Sequence, residues 1–163
     1  MRTVVKEQRK YISSGELFPV VLDLLNEYKQ ACFIVTGMSM WPFICHGRDK
    51  AIVEKCDPDK VKKGDIVLLE AVSGRYLLHR ITKVLPDGIQ TTGDGNCHRD
   101  GVFPRSCIRA KIVKIIRKGK VIDCTSVLWR GIFCLWMRMF PVRRYLLAVL
   151  RRIGRLKGQL RKK

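Results

Sequence analysis

The chain has 163 residues, of which 47% are hydrophobic and 29% are charged. This length and apolar content suffice for one folded domain with extensions, which excludes an intrinsically disordered chain and a disulfide-stapled miniprotein. The formal net charge is +19, a value that indicates an anionic partner.

The basic residues are concentrated in the last third of the chain. Residues 1–104 carry 15 Lys and Arg against 13 Asp and Glu, whereas residues 105–163 carry 18 against a single acidic residue, Asp123. We therefore expect the first two thirds to be electrically ordinary. The C-terminal third should face an anionic surface, either lipid headgroups or nucleic acid.

Residues 1–30 predict a polar lead followed by an amphipathic helix. Ser13 precedes Glu16 by three positions, which is the spacing of a capping box. Apolar side chains then recur every three or four residues, as expected for one helical face that packs against the rest of the protein. They are Leu17, Val20, Val21, Leu24, Leu25 and Tyr28.

Residues 31–123 contain short runs of Val, Ile, Leu and Thr between glycines and prolines, a pattern typical of strands. The candidates are residues 33–35, 51–53, 66–69, 76–84, 89–92, 108–116 and 121–122. The Asp87-Gly88 pair predicts a hairpin turn between two of them. The expected fold class is mainly β within an α+β protein, with a compact antiparallel β domain and helices at its ends.

Residues 124–163 mix bulky apolar side chains with arginines on either side of Pro141. The longest uncharged run, residues 131–137, is far too short to cross a bilayer. The composition is typical of basic amphipathic helices that lie on anionic lipid, with Trp129, Phe133 and Trp136 buried in the interface. The alternative is a helix pair packed on the β domain.

The cellular location is indicated by two absences. The first 18 residues lack the apolar core of a secretory signal, and none of the seven cysteines stands in a Cys-x-x-Cys motif. We therefore expect a reducing, cytoplasmic location, peripheral on the inner membrane surface.

Four short segments follow one another at spacings that suggest chemistry. They are residues 37–42 (Gly-Met-Ser-Met-Trp-Pro), 64–67 (Gly-Asp-Ile-Val), 78–81 (Leu-His-Arg-Ile) and 92–96 (Thr-Gly-Asp-Gly-Asn). Taken together they resemble the signal peptidase I family, whose wider clan also includes self-cleaving repressor domains. The resemblance implies a serine endopeptidase that cleaves a signal, leader or precursor peptide after a small residue. Its substrate would bind as an added strand.

By this resemblance Ser39 is the nucleophile and His79 is its base. A serine hydroxyl is a weak nucleophile until a base accepts its proton. Most bacterial members place lysine at the position of His79, and the endoplasmic-reticulum type places histidine there. Free histidine titrates near pH 6.5, so this residue type accepts a proton at neutral pH without the strong desolvation that a lysine needs.

The acid that orients the base has two candidates, Asp94 and Asp100. Alignment of residues 93–96 with the segment of the endoplasmic-reticulum type places the catalytic role on Asp100. Asp94 would then shape the glycine-rich turn. Both remain candidates.

The residues around Ser39 are assigned supporting roles by the same resemblance. Many family members carry serine where this chain has Gly37, and that hydroxyl helps to hold the oxyanion. The oxyanion would therefore depend mainly on the backbone N–H groups of Ser39 and its neighbours. The candidate groove or oxyanion residues are Gly37, Met38, Met40, Trp41 and Pro42.

Other features of the sequence bear on functions different from that of a peptidase. Two Cys-His pairs, at residues 45–46 and 97–98, offer zinc-type ligands, but adjacent residues rarely ligate one ion, so we expect no metal and no cofactor. A non-catalytic peptide-binding module and a nucleic-acid-binding protein are the alternatives. The basic third lacks a readable DNA-binding motif. The expected partners are thus a precursor peptide and an anionic membrane surface, without nucleic acid, and the oligomeric state is left open.

Overall fold

The computed structural model describes residues 13–71 and 74–160. The polar lead predicted for residues 1–12 lies outside these residues. The helices are α1 (Ser14–Glu27), α2 (Val127–Arg138) and α3 (Arg143–Leu160). The strands are β1 (Gln30–Ile34), β2 (Asp49–Glu54), β3 (Ile66–Glu70), β4 (Tyr76–Leu85), β5 (Gly88–Thr92), β6 (Val102–Phe103), β7 (Ile108–Arg117) and β8 (Lys120–Asp123).

The strands form one antiparallel sheet in the order β1-β2-β7-β3-β4-β5-β6, with β8 paired to β7. The long strand β7 joins its two halves, since it pairs with β2 on one side and β3 on the other. Both pairings shift register, at Ile52/Val53 and at Leu68/Leu69, and such bulges increase the local twist of a sheet. The expected α+β class with a compact antiparallel domain is confirmed.

The strand predictions differ from the structure in two details. The hairpin between β4 and β5 closes with Leu85 paired to Gly88, so the turn lies over Pro86 and Asp87, one residue earlier than expected. Gly88 instead begins β5, where its Cα lies against the backbone of Phe103. The second detail is β6, which was not predicted because two residues show no alternation.

Helix α1 begins with the capping box that the sequence predicts. The Ser13 hydroxyl accepts a hydrogen bond from the N–H of Glu16, and the Glu16 carboxylate accepts one from the N–H of Ser13. These bonds satisfy backbone groups that have no partner within the helix.

The buried face of α1 is rotated from the predicted stripe. Phe18, Val21 and Leu25 are buried, whereas Val20, Leu24 and Tyr28 are exposed. The Phe18 ring packs against Phe33 and Tyr76, with centroids 5.4 and 5.2 Å apart. The large ring, which the periodicity omitted, determines which face turns inward.

Residues 127–160, here called the C-terminal hairpin, pack on the β domain. Phe133 and Leu147 are 2% and 1% exposed, and Trp136 and Arg143 are also buried. Phe133 and Trp136 each meet the Phe43 ring edge-on. The expectation that these two aromatic side chains enter lipid is therefore wrong, because they are buried inside the protein.

No helix among the described residues is long and apolar enough to cross a membrane. All seven cysteines lie in the described part of the chain, and all are free thiols.

Replacement of Phe133 by alanine should show how tightly the hairpin is bound. Removing a buried phenylalanine typically costs about 3–5 kcal/mol of unfolding free energy, and we expect a loss in this range on urea denaturation. Leu128→Ala, at a 70% exposed position of the same helix, should change stability by less than about 0.5 kcal/mol. Equal, small effects of both substitutions would show that the hairpin is not part of the core.

Candidate active site

Strand β4 places two functional side chains on opposite faces of the sheet. Successive side chains of a strand alternate between faces. His79 therefore shares a face with Ile81, which belongs to one apolar cluster, and Arg80 shares the other face with Leu78, which belongs to the second cluster. Both His79 and Arg80 are buried.

His79 forms a short hydrogen bond with Asp100. The distance between Nδ1 of His79 and Oδ2 of Asp100 is 2.5 Å. The Thr91 hydroxyl donates to the same carboxylate oxygen over 2.8 Å, and the Asp100 N–H donates to the Thr91 carbonyl over 2.9 Å. Thr91 thus binds both the backbone and the carboxylate of Asp100, and the carboxylate in turn orients the imidazole.

The environment of Asp100 favours its ionised form. Burial raises the pKa of this carboxyl, but the hydrogen bonds from His79 and Thr91 and the nearby imidazoles outweigh burial and hold the pKa below its ordinary value. An ionised carboxylate can only accept hydrogen bonds. The carboxylate therefore accepts the hydrogen bond from Nδ1 of His79, and Nε2 takes no part in this bond.

Asp94 is engaged by a different partner. Its two carboxylate oxygens accept bonds from Nε and Nη2 of Arg80, over 2.8 and 2.6 Å, and both side chains are fully buried. Nη1 of Arg80 donates to the Gly64 carbonyl over 2.8 Å. The two aspartates that the sequence left open thus have separate positions: Asp100 lies with His79, and Asp94 lies with Arg80.

Aromatic rings enclose the Arg80–Asp94 pair. The Arg80 guanidinium lies 3.8 Å from the centroid of Phe133 and 5.7 Å from that of Phe43, which is the geometry of a cation–π contact. Trp136 Nε1 donates to the Asp94 carbonyl over 3.2 Å. Strand β4 and helix α2 therefore meet at this pair.

Ser39 lies half-buried in the loop between β1 and β2, where it contacts residues 93–96, here called the glycine turn. The Ser39 carbonyl accepts a hydrogen bond from the Gly95 N–H over 2.7 Å. A Cβ on Gly93 would lie 2.5 Å from the Ser39 carbonyl oxygen, and one on Gly95 would lie 2.8 Å from the Met38 carbonyl oxygen. Only glycine permits such close backbone contact.

The sheet register brings this contact next to the position of His79. Arg80 pairs with Thr92 across β4 and β5, so Gly93 follows directly beside the position of His79. Within the described residues no hydrogen bond joins the Ser39 hydroxyl to His79. Bonds between nucleophile and base are often loose until substrate is bound.

The neighbours of Ser39 differ in how far their side chains are exposed to solvent. Met40 is 2% exposed and belongs to the main core, so the expected lining of a groove does not hold for this residue. Met38 is 60% exposed, and the half-buried Trp41 lies under the Arg151 guanidinium at 5.9 Å. Of the five candidates only Met40 is buried, since Gly37 is exposed like Met38 and Pro42 is half-buried like Trp41.

The N–H group of Gly37 is already engaged. It donates to Nδ1 of the exposed His46 over 3.0 Å, and Gly37 itself has a positive φ of 92°. His46 is thus tied to the Ser39 loop through its ring nitrogen.

No group of three or more potential metal ligands comes together within residues 13–71 and 74–160.

Several residues that hold the site were not found from the sequence. Thr91 fixes Asp100, and Arg143 Nη1 donates to the carbonyls of Gly93 and Asn96 over 3.5 and 3.4 Å. The contacts of Arg143 and Trp136 cross 47 and 42 positions of the chain, so they left no local signal. The glycines at 93 and 95 did leave one, in the Thr-Gly-Asp-Gly-Asn segment.

Comparison with known proteins gives no match: no protein-family model matches the chain, and no curated protein or solved structure is significantly similar to it.

The two aspartates should respond differently to replacement by asparagine. Asp94→Asn leaves the Arg80 guanidinium buried without its counter-charge, and breaking a buried pair in this way typically costs about 3–5 kcal/mol of unfolding free energy. Asp100→Asn should cost less, because the half-buried carboxylate loses one charge-assisted bond. Urea denaturation at neutral pH measures both losses.

The loss of unfolding free energy caused by Asp100→Asn should also depend on pH. A carboxyl whose pKa is lowered by folding stabilises the protein above its ordinary pKa of about 4, and this contribution disappears as the pH falls through the folded pKa. The stability difference between wild type and Asp100→Asn should therefore shrink as the pH falls below about 4. A difference that does not shrink at acid pH would contradict the assignment of an ionised Asp100.

Proposed function

We propose that the chain is a serine endopeptidase of the signal peptidase type, which cleaves a signal, leader or precursor peptide after a small residue with Ser39, His79 and Asp100. The strongest support is the 2.5 Å bond between His79 and Asp100, with the carboxylate fixed by Thr91. A buried imidazole that has an ionised carboxylate at Nδ1 has its other nitrogen available as a base. The backbone contacts of the glycine turn hold the Ser39 loop against the residues that follow Thr92, which pairs with Arg80 in the sheet.

The proposed reaction has two halves. Ser39 Oγ attacks the scissile carbonyl, Nε2 of His79 takes the hydroxyl proton, and Asp100 stabilises the resulting imidazolium. The tetrahedral intermediate collapses to an ester on Ser39, and the imidazolium donates its proton to the leaving amine. Water then attacks the ester while Nε2 takes its proton, and the imidazolium returns that proton to Ser39 Oγ as the carboxylic acid product leaves.

The backbone of the Ser39 loop supplies the oxyanion donors in this proposal. The N–H groups of Ser39 and Met40 donate to no acceptor in the part of the chain that the structure describes, whereas that of Gly37 is held by His46. Two free amides beside the nucleophile are the usual composition of an oxyanion hole.

Strand β1 offers the place for the substrate backbone. It lies at one edge of the sheet and leads directly into the Ser39 loop. An extended peptide that pairs with such an edge gains main-chain hydrogen bonds, and pockets for alternate side chains provide selectivity. The exposed Met38 and the half-buried Trp41 would meet the residues next to the scissile bond.

Ser39→Ala should abolish cleavage of a synthetic peptide library, followed by mass spectrometry, while the unfolding free energy stays close to that of wild type. The substitution removes one hydroxyl and leaves the loop backbone intact. Ser106→Ala, at an exposed position, is the matched control and should cleave like wild type. Turnover that persists in Ser39→Ala would refute the mechanism.

His79→Ala should reduce turnover nearly as much as loss of Ser39, and Asp100→Asn should reduce kcat by about 10⁴, the effect of the equivalent change in other triads. Since the lowered pKa of Asp100 keeps it ionised above pH 5, any activity limb between pH 5 and 8 belongs to another group. A variant Asp100→Asn with full activity would remove Asp100 from the mechanism.

We also propose that the protein lies peripherally on the cytoplasmic face of an anionic membrane. Helix α3 presents Tyr145, Val149 and Ile153 at intervals of four, and all three are exposed. Leu147 lies on the opposite, buried face. Exposed arginines at positions 144, 151, 152 and 155 lie along one side of the stripe. An apolar stripe beside cationic side chains is the pattern of an interfacial helix on anionic lipid.

Replacement of Val149 and Ile153 by aspartate should weaken sedimentation with vesicles of phosphatidylglycerol and phosphatidylcholine by more than about tenfold, since each apolar side chain contributes roughly 1.5–3 kcal/mol when buried. The pair Val102→Asp and Val121→Asp, exposed positions on the β domain, carries the same charge change and should retain binding. Equal losses would show that net charge alone holds the protein. Binding of duplex DNA in preference to vesicles would favour the nucleic-acid alternative.

A further inference from the structure

A small cavity of about 260 Å³ lies between the β4–β5 hairpin and the C-terminal hairpin. It is separate from the His79–Asp100 pair, because none of the catalytic candidates lines it. Four of its eight lining residues are cationic and none is acidic. The lining residues are Lys63, Thr82, Lys83, Gln90, Arg99, Met137, Phe140 and Arg143.

The innermost cation, Arg143, is buried without a carboxylate partner. It is 1% exposed, and its guanidinium donates only to the carbonyls of Gly93, Asn96 and Trp136 over 3.3–3.5 Å. Its Nε has no hydrogen-bond partner. Burial lowers the pKa of this group, as expected for a cation removed from water. The charge of the Asp94 carboxylate acts on Arg143, but both oxygens of that carboxylate are bound by the Arg80 fork.

The other cations come from three separate segments. Arg99 and Arg143 both stack on the Phe140 ring, 4.9 and 4.8 Å from its centroid. Lys63 precedes β3 and Lys83 lies on β4, and both are exposed. Within the described residues none of these four cations forms a salt bridge with a carboxylate. Four like charges are thus held together without a salt bridge to any described carboxylate.

Helix α3 adds to the positive potential. Its first residue is Arg143, and the positive end of the helix dipole is at its N-terminus. The helix has 18 residues, long enough for a full dipole. The charged side chains that line the cavity are therefore all cations, and the positive end of the α3 dipole adds to their potential.

We propose that this cavity binds a phosphate group, as a phosphomonoester or as the headgroup of an anionic phospholipid. Arginine forks and lysine ammonium groups are the usual ligands of phosphate in proteins. The volume is below the 300–1,000 Å³ typical of sites for drug-sized ligands, so it fits a headgroup-sized anion. The site does not depend on the peptidase activity proposed above.

Titration of the full chain with inorganic phosphate, followed by calorimetry and thermal unfolding, tests the site. We expect saturable binding and a rise in melting temperature with phosphate, because a ligand that binds only the folded state stabilises it. The double variant Lys63→Gln and Lys83→Gln should bind at least tenfold more weakly. The matched control, Lys55→Gln and Lys120→Gln, changes two exposed lysines outside the cavity and should bind within twofold of wild type.

Arg99→Gln provides a second variant that leaves the buried Arg143 in place, and it too should weaken phosphate binding. Equal weakening in the cavity variants and in the Lys55 and Lys120 control would overturn the proposal, because it would show an effect of net charge. Absence of saturable phosphate binding together with absence of any cavity-dependent vesicle binding would also overturn it.

Vesicles of phosphatidic acid in phosphatidylcholine identify the source of the phosphate. If the cavity variants lose vesicle binding and inorganic phosphate competes with the vesicles, the ligand is a lipid headgroup. If phosphate binds through the cavity while vesicle binding is the same in wild type and in the cavity variants, the ligand is a soluble phosphate. Either outcome supports the phosphate site.

Discussion

The buried ion pair between Arg80 and Asp94 connects the segments that build the site. Removing two charges from water costs several kcal/mol per ion, and this cost is offset only where the geometry is good and additional hydrogen bonds are made. Here both carboxylate oxygens are bound, the third guanidinium nitrogen binds the Gly64 carbonyl, and the ring of Phe133 covers the cation. The pair therefore fixes the glycine turn against β4 and α2.

The alternation of side chains along β4 links this ion pair to the proposed catalytic residues. Because His79 and Arg80 are neighbours on β4, His79 points to one face of the sheet while Arg80 anchors the other. The glycine turn that Asp94 holds is the same turn whose backbone contacts Ser39. The positions of the proposed nucleophile and base thus both depend on the buried Arg80–Asp94 pair. Trp136 and Arg143 of the C-terminal hairpin donate further hydrogen bonds to the same glycine turn.

Much of the fold followed from local signals. The Val- and Ile-rich runs located seven strands, and Ser13 with Glu16 located the start of α1. The strand position of His79, and its spacing from Asp100, followed from short motifs. The roles of Phe133 and Arg143 did not follow from local signals, because a basic amphipathic segment has the same sequence pattern whether it covers lipid or a β sheet. Met40 was assigned to a groove because a resemblance in sequence carries no information on burial.

The central claim is that Ser39 becomes acylated with His79 as its base. Reaction of the protein with the p-nitrophenyl ester of acetyl-alanyl-alanine, quenched in acid and analysed by intact and peptide mass spectrometry, tests this directly, since an acyl-enzyme is a covalent intermediate. The account predicts one added acyl group, located on Ser39, which is absent in Ser39→Ala and formed much more slowly in His79→Ala. An adduct that forms equally fast without His79, or that lies on another residue, would contradict it.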